Sequence, residues 1–231
     1  MGLPVSAEGL GVRGPRGWVF RDVDLVVPAG ALAAVAGPSG SGRSSLLLTL
    51  AGRMRATDGQ ARIGEHALPG RLRPVQAVVG LGVFAGVNDL DEPLTVADMV
   101  REQLSLRRVR RRRDVTGVLT RVGLDLPGGT RIRDLGRAEH VLLGVALALV
   151  GEPEVLVADD VDVRLDAEDQ LVVWRTLRAV ADNGVTVIAS CVDSTVPAQA
   201  GLLDVVHLLT SAPAEVPAGR ARSEETVDAR S

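Results

Sequence analysis

Gly37-Pro-Ser-Gly-Ser-Gly-Arg43-Ser44 follows the order G-x-x-x-x-G-K-[ST] of a phosphate-binding loop, with arginine at the lysine position. Before it stands a short apolar run, Leu32-Ala-Ala-Val-Ala36, which reads as a strand. After it, Ser44-Ser-Leu-Leu-Leu-Thr-Leu-Ala51 reads as a helix. In that setting the loop amides and the positive end of the helix form an anion site. The candidate binding residues for the phosphates of a nucleotide are therefore Gly37, Pro38, Ser39, Gly40, Ser41, Gly42, Arg43, Ser44 and Ser45. Glycines permit positive φ and a close approach of backbone to phosphate. Ser44 is placed to offer its hydroxyl to Mg²⁺, and Arg43 keeps the positive charge. A guanidinium is larger than an ammonium and prefers two-pronged contacts, so it can hold phosphates yet misplace the terminal one. Two other readings are a glycine-rich turn that binds nothing and a dinucleotide fingerprint. The second lacks its third glycine in Gly40-Ser-Gly42-Arg-Ser-Ser45.

Composition narrows the setting. The chain has 231 residues, which suits one domain or one domain with an inserted lobe. Hydrophobic residues make up 46% and aromatics only 2%, with no tyrosine, so the core must be built from Val, Leu and Ala. Lysine is absent from the whole chain, which weakens any reading of Arg43 as a targeted change. A net charge of −3 argues against nucleic acid as the partner. Cys191 is the sole cysteine, so no internal disulfide and no thiolate metal cage can form, and a cytoplasmic setting is expected. The N-terminus lacks the pattern of a signal peptide. The longest apolar stretch, Val141 to Val150, falls short of the roughly 20 residues that span a bilayer. Any membrane role is expected to run through a partner.

Outward from the loop, strands alternate with helices. Residues 1 to 36 read as β-rich, with alternation near Val19 to Val27 and a turn at Pro28-Ala-Gly30. Asp58-Gly59 turns the chain into a strand around Ala61-Arg-Ile63, and residues 76 to 84 read as a buried strand ending at Phe84. Leu94 to Leu106 reads as a helix started by Thr95 and Asp98 in a capping-box pattern. Arg107 to Arg113 is a cationic run, read as a solvated face of a helical lobe or as a contact for acidic headgroups or an acidic partner. Gly128-Gly129 precedes a helix from Arg137 to Val150. Val155 to Ala158 is a strand, Asp166 to Ala181 a helix and Val185 to Val192 a strand. The expected fold is α/β with a mainly parallel sheet. Its domain covers 1–211, with a helical lobe at about 88–148 and a disordered tail at 212–231.

Val155-Leu-Val-Ala158 ends in Asp159-Asp160. A buried strand ending in acids, downstream of a phosphate loop, is the second half of such a site. Asp159 is the candidate magnesium ligand, and Asp160 falls where a general base for an attacking water could sit. The plainer reading is two solvent-exposed acids at a strand end.

The order of these segments resembles the ATP-binding cassette (ABC) family of transporter ATPases over about residues 5 to 210. The resemblance rests on the phosphate loop, Leu50-Ala-Gly52 with Asp58-Gly59, Leu94-Thr-Val96, Ala146 to Pro153 and Val155 to Asp160. Val163-Arg-Leu-Asp166 is similar to the loop that crosses to a partner subunit, with Asp166 matching its aspartate. The resemblance implies a P-loop NTPase fold of ABC type, with a β-rich N-terminal part and an inserted helical lobe. It further implies ATP and Mg²⁺ as cofactors, a membrane-embedded permease as partner, and a homodimer or a heterodimer with another ABC subunit. The location would be cytoplasmic, at the inner face of the membrane.

Where the family carries L-S-G-G-Q this chain has Leu135-Gly136-Arg137-Ala138-Glu139, the implied dimer-interface segment. Asp160 replaces the catalytic glutamate and is one methylene shorter. Val192 stands at the switch histidine, and Ala85 at the glutamine. The adenine-stacking aromatic aligns near Arg13, with Trp18 close enough to substitute. His66, His140 and His207 match no catalytic position and are expected to be ordinary surface or packing residues. Losing one oriented catalytic group costs about 2.7–4 kcal/mol, roughly a hundred- to a thousandfold in rate. The expectation is an ATP-binding subunit with weak or absent hydrolysis; the alternative is a non-hydrolysing regulatory or scaffold module. A soluble cassette ATPase of repair or translation would carry two cassettes or long insertions, which this chain lacks.

Overall fold

A computed structural model of the chain describes residues 1–106 and 115–209. The arginine run at 107–113 and the tail at 212–231 lie outside the described residues. The N-terminal part is an antiparallel sheet in the order β2-β1-β4-β5, from β1 (Val5–Gly14), β2 (Gly17–Val27), β4 (Asp58–Ile63) and β5 (His66–Leu68). The second sheet is parallel, in the order β6-β7-β8-β3-β9. Its strands are β3 (Leu32–Ala36), β6 (Val79–Leu81), β7 (Val155–Ala158), β8 (Thr186–Cys191) and β9 (Val205–Leu208).

β3 shows why these short apolar runs become central strands. Side chains alternate across a strand, so a strand with both faces covered must be apolar throughout. Leu32, Ala34 and Ala36 enter a core that also holds residues of α5 (Arg137–Leu149) and α6 (Ala167–Asp182). Ala33 and Val35 enter a second core with Leu46, Leu47 and Leu50 of α1 (Arg43–Leu50) and with Phe20 and Val27 of the antiparallel sheet. The small alanines of β3 let helix and sheet approach closely from both sides. The parallel strands end at Ala36, Ala158 and Cys191, so the residues after them share one edge, where open α/β sheets place their ligands.

The helix starts follow the side chains. Thr95 Oγ1 accepts from the Asp98 amide at 3.2 Å, and the Asp98 carboxylate accepts from Thr95 N at 3.3 Å, opening α3 (Val96–Leu106). Asp166 accepts from Asp169 N at 2.9 Å and caps α6. α4 (Val115–Thr120) and a 3₁₀ turn at Ile132–Asp134 lie between α3 and α5.

The segment 76–84 is not one strand. Leu72–Val78 is helical (α2), and only Val79–Leu81 pairs, with Val155–Val157. Pro74 falls in the first turn of α2, where a missing N–H costs nothing and the fixed φ suits a helix. The chain then leaves the sheet edge because Asn88 ties the next turn, accepting from Phe84 N and donating to Gly82 O, both at 2.8 Å. The break at Gly128-Gly129 likewise leads first into the 3₁₀ turn and only then into α5. No helix among the described residues is long and apolar enough to cross a membrane.

Trp174 on α6 is fully buried, and its indole N–H finds no acceptor. Trp174→Ala should lose about 3–5 kcal/mol of stability to the cavity. Trp174→Phe should lose much less, because it also deletes an unpaired buried N–H worth about 1–3 kcal/mol. Urea unfolding followed by far-UV circular dichroism measures both; an equal loss for the two variants would refute this account.

Candidate functional site

The loop after β3 is wedged between two parts of the chain. Gly42 has φ +92°, and a Cβ there would lie 2.5 Å from the Val19 carbonyl oxygen and 3.0 Å from Phe20 Cβ. Gly37 has the same constraint on its other side, where a Cβ would lie 2.2 Å from the Leu209 carbonyl oxygen. Gly37 N donates to Cys191 O, Ser41 N to Pro38 O and Leu46 N to Gly42 O, which closes the turn. Among the described residues, the amides of Gly40, Gly42, Arg43, Ser44 and Ser45 find no backbone acceptor. They line a cavity of about 390 Å³ bounded by Val19, Pro38 to Ser45 and Asp160. Free amides converging at a helix start are what a polyphosphate needs.

Arg43 does not point freely into this cavity. Its side chain is 6% exposed; Nη1 donates to the Gly37 carbonyl, and Nη2 reaches Asp160 Oδ1 at 2.5 Å. Its Nε is buried without a partner. The acid considered as a general base is thus held by the loop's own cation.

Asp159 sits deeper. Burial pushes its carboxyl up, opposed by hydrogen bonds from the Ser190 and Ser44 hydroxyls. Ser190 Oγ donates to Asp159 Oδ1 at 2.5 Å and accepts from the Asp160 amide at 2.8 Å, so it orients both acids. A half-buried carboxylate beside a hydroxyl is an oxygen donor pair that fits a hard divalent cation. Ser190 was not foreseen, although a serine inside the apolar strand β8 is a visible signal. Asp162 was also missed. It is buried, and its Oδ2 accepts from the amides of Val192 at 2.8 Å and Asp193 at 3.1 Å. The carboxylate shapes the turn at which Val192, itself 44% exposed, offers no polar side-chain atom.

The Leu135–Glu139 segment opens α5. Gly136 is the N-cap residue, and its N–H donates to Glu139 Oε2 at 2.8 Å; with no side chain, glycine returns no bond. Leu135 and Ala138 pack on the core. Arg137 turns into its own chain, with Nε 3.3 Å from Val163 O, Nη2 3.4 Å from Asp160 O and Nη1 3.4 Å from His140 Nδ1. Burial first, and then the Arg164 charge, lower its pKa. Arg137, His140, Arg164, Asp89, Asp159 and Asp160 share a cleft of about 460 Å³. Asp166 is exposed and engaged in capping α6. Arg13 and Trp18 face each other across the β1–β2 hairpin, with the Arg13 guanidinium 5.7 Å from the indole centroid. One face of the candidate adenine platform is therefore covered by the other candidate.

The parallel sheet with a glycine loop after β3 and acids after β7 defines a P-loop NTPase fold. The family profile described as "ABC transporter" matches residues 20–162, and the chain belongs to that family. It is 28% identical over 199 residues to the phosphonates import ATP-binding protein PhnC of Thiobacillus denitrificans, covering 80% of this chain and 76% of that one. It is 33% identical over 183 residues to the hemin import ATP-binding protein HmuV of Rhodopseudomonas palustris, covering 74% and 68%. The fold is also that of the dimeric MJ0796 bacterial ABC transporter cassette, with TM-score 0.72 and 19% identity over 89% of this chain and 94% of that one.

His140 and His207 both have pKa values below the ordinary 6.5, chiefly through burial, with Arg137 adding to the effect on His140. The unfolded chain therefore binds protons that the folded chain resists, and stability is lost as pH falls below the unfolded value. Urea unfolding should show a lower free energy at about pH 5.5 than at about pH 7.5, and the His140→Gln/His207→Gln double variant should flatten that difference. An unchanged pH slope in the double variant would contradict this.

Proposed function

We propose that this chain is the ATP-binding subunit of an ABC-type membrane transporter and that it binds Mg·ATP with weak or absent hydrolysis at its own site. One observation carries the reading: a ring of unpaired loop amides lies in the same cavity as an acid that is tied to Arg43. The relatives named as import ATP-binding proteins support the transport role.

In this reading the amides of Gly40, Gly42, Arg43, Ser44 and Ser45 hold the phosphate oxygens. Ser44 and Asp159 hold Mg²⁺, which when bound neutralises phosphate charge. Trp18 offers its remaining face to the base. Asp160, paired with Arg43 and one methylene shorter than glutamate, is poorly placed to orient a water. Val192 and Ala85 add no hydrogen bond, and Arg137 is spent on carbonyls of its own chain. The interface residues Leu135 to Glu139 and Asp166 are assigned to pairing with a second copy or another ABC subunit. A further cleft of about 370 Å³ combines an apolar floor, including Leu81, Leu90, Met99 and Leu147, with the acids Asp89, Asp91 and Glu102. An amphipathic helix with basic residues fits such a groove, and we assign it to the permease, which would hold the chain at the cytoplasmic face of the membrane.

Arg43 tied to Gly37 and Asp160 also suits a second reading, a scaffold that keeps the fold and binds no nucleotide. Titration calorimetry with Mg·ATP separates them. Binding with a Kd on the order of 1 μM, weakened by Ser44→Ala, supports the subunit; silence supports the scaffold. Phosphate release should stay below about 1 s⁻¹. Faster turnover that is lost in Asp160→Asn would overturn the claim of impaired hydrolysis.

A further inference from the structure

Arg43 borders two places where a negative charge can sit. One is the Asp160 carboxylate, 2.5 Å from Nη2. The other is the cavity that Arg43, the free loop amides and Asp160 all line. We propose that Arg43 is a two-position latch: without ligand it holds Asp160, and a bound polyphosphate takes it over and releases Asp160. The inference rests on the ATP-binding reading above and adds a regulatory step to it.

The geometry favours a latch over a fixed strut. An arginine presents five N–H donors in a planar fork, so it can hold the Gly37 carbonyl and a carboxylate at once; an ammonium is a point charge. Nε nonetheless remains buried and unpaired, so this resting position leaves a donor unsatisfied. A polyphosphate brings several charges, and it also satisfies the loop amides, which Asp160 leaves free. Asp160 is the natural counterweight. It has φ +46°, its amide is fixed by Ser190, and its carbonyl faces Arg137 from the start of α5. Release of its side chain therefore acts on a residue touched from both the loop and the α5 end.

A resting latch lowers apparent affinity by the fraction of molecules in which Arg43 is free. Removing the Asp160 carboxylate should raise affinity, but so would the relief of simple repulsion between carboxylate and phosphate. A double-mutant cycle separates the two. Mg·ATP binding by calorimetry is compared in the full chain, Asp160→Asn, Arg43→Ala and the double variant. With a latch, Asp160→Asn tightens binding about tenfold when Arg43 is present and less than about threefold when it is absent. An equal gain in both backgrounds would mean repulsion alone and would overturn the latch. If none of the four binds ATP while circular dichroism shows them folded, the ATP-binding reading itself fails, and the latch with it. Should Arg43→Ala not fold, Arg43→Gln, which keeps length and removes charge, carries the same cycle.

Discussion

A missing side chain at Gly42 holds the site together. Its backbone has a left-handed φ and lies against the carbonyl of Val19, so the loop can turn only if nothing projects there. Any Cβ would push the loop away from the antiparallel sheet, and α1 would lose its place over β3. Gly37 repeats the constraint against the chain leaving β9. The two glycines clamp the loop between the two sheets and turn its amides toward the common edge. The free donors, the two acids and the arginine converge because of that clamp.

Within this frame the balance of charge sets what the site can do. Three oriented features converge on Asp160: the Arg43 guanidinium, the Ser190 hydroxyl and the Arg137 side chain near its carbonyl. Asp159 is half-buried and shares Ser190 with Asp160, accepting from its hydroxyl. Two neighbouring carboxylates therefore have different surroundings, one bonded to hydroxyls and the other paired with a guanidinium.

Much of this was legible in residue order. The loop, the apolar run of β3, the helix start at Thr95 and Asp98, and the acids after β7 all carry local signals. Each depends on contacts within a few residues or on a period of two or 3.6. The misread segment, 76–84, shows the limit. Its apolar spacing suits a strand as well as a short helix, and Pro74 and the Asn88 turn decided between them. Ser190 and Asp162 were missed for a related reason, since their partners lie 30 or 31 residues away in sequence.

Sequence alone thus determined that a phosphate loop would follow a buried strand and that a parallel sheet would carry it, because glycine placement and apolar periodicity are properties of neighbouring residues. Only the tertiary structure decided which way the two arginines point. Arg43 and Arg137 could each have faced a ligand or a partner. Both turn to Asp160 instead, since a guanidinium withdrawn from water gains by finding acceptors, and the folded chain offers a carboxylate and carbonyls there.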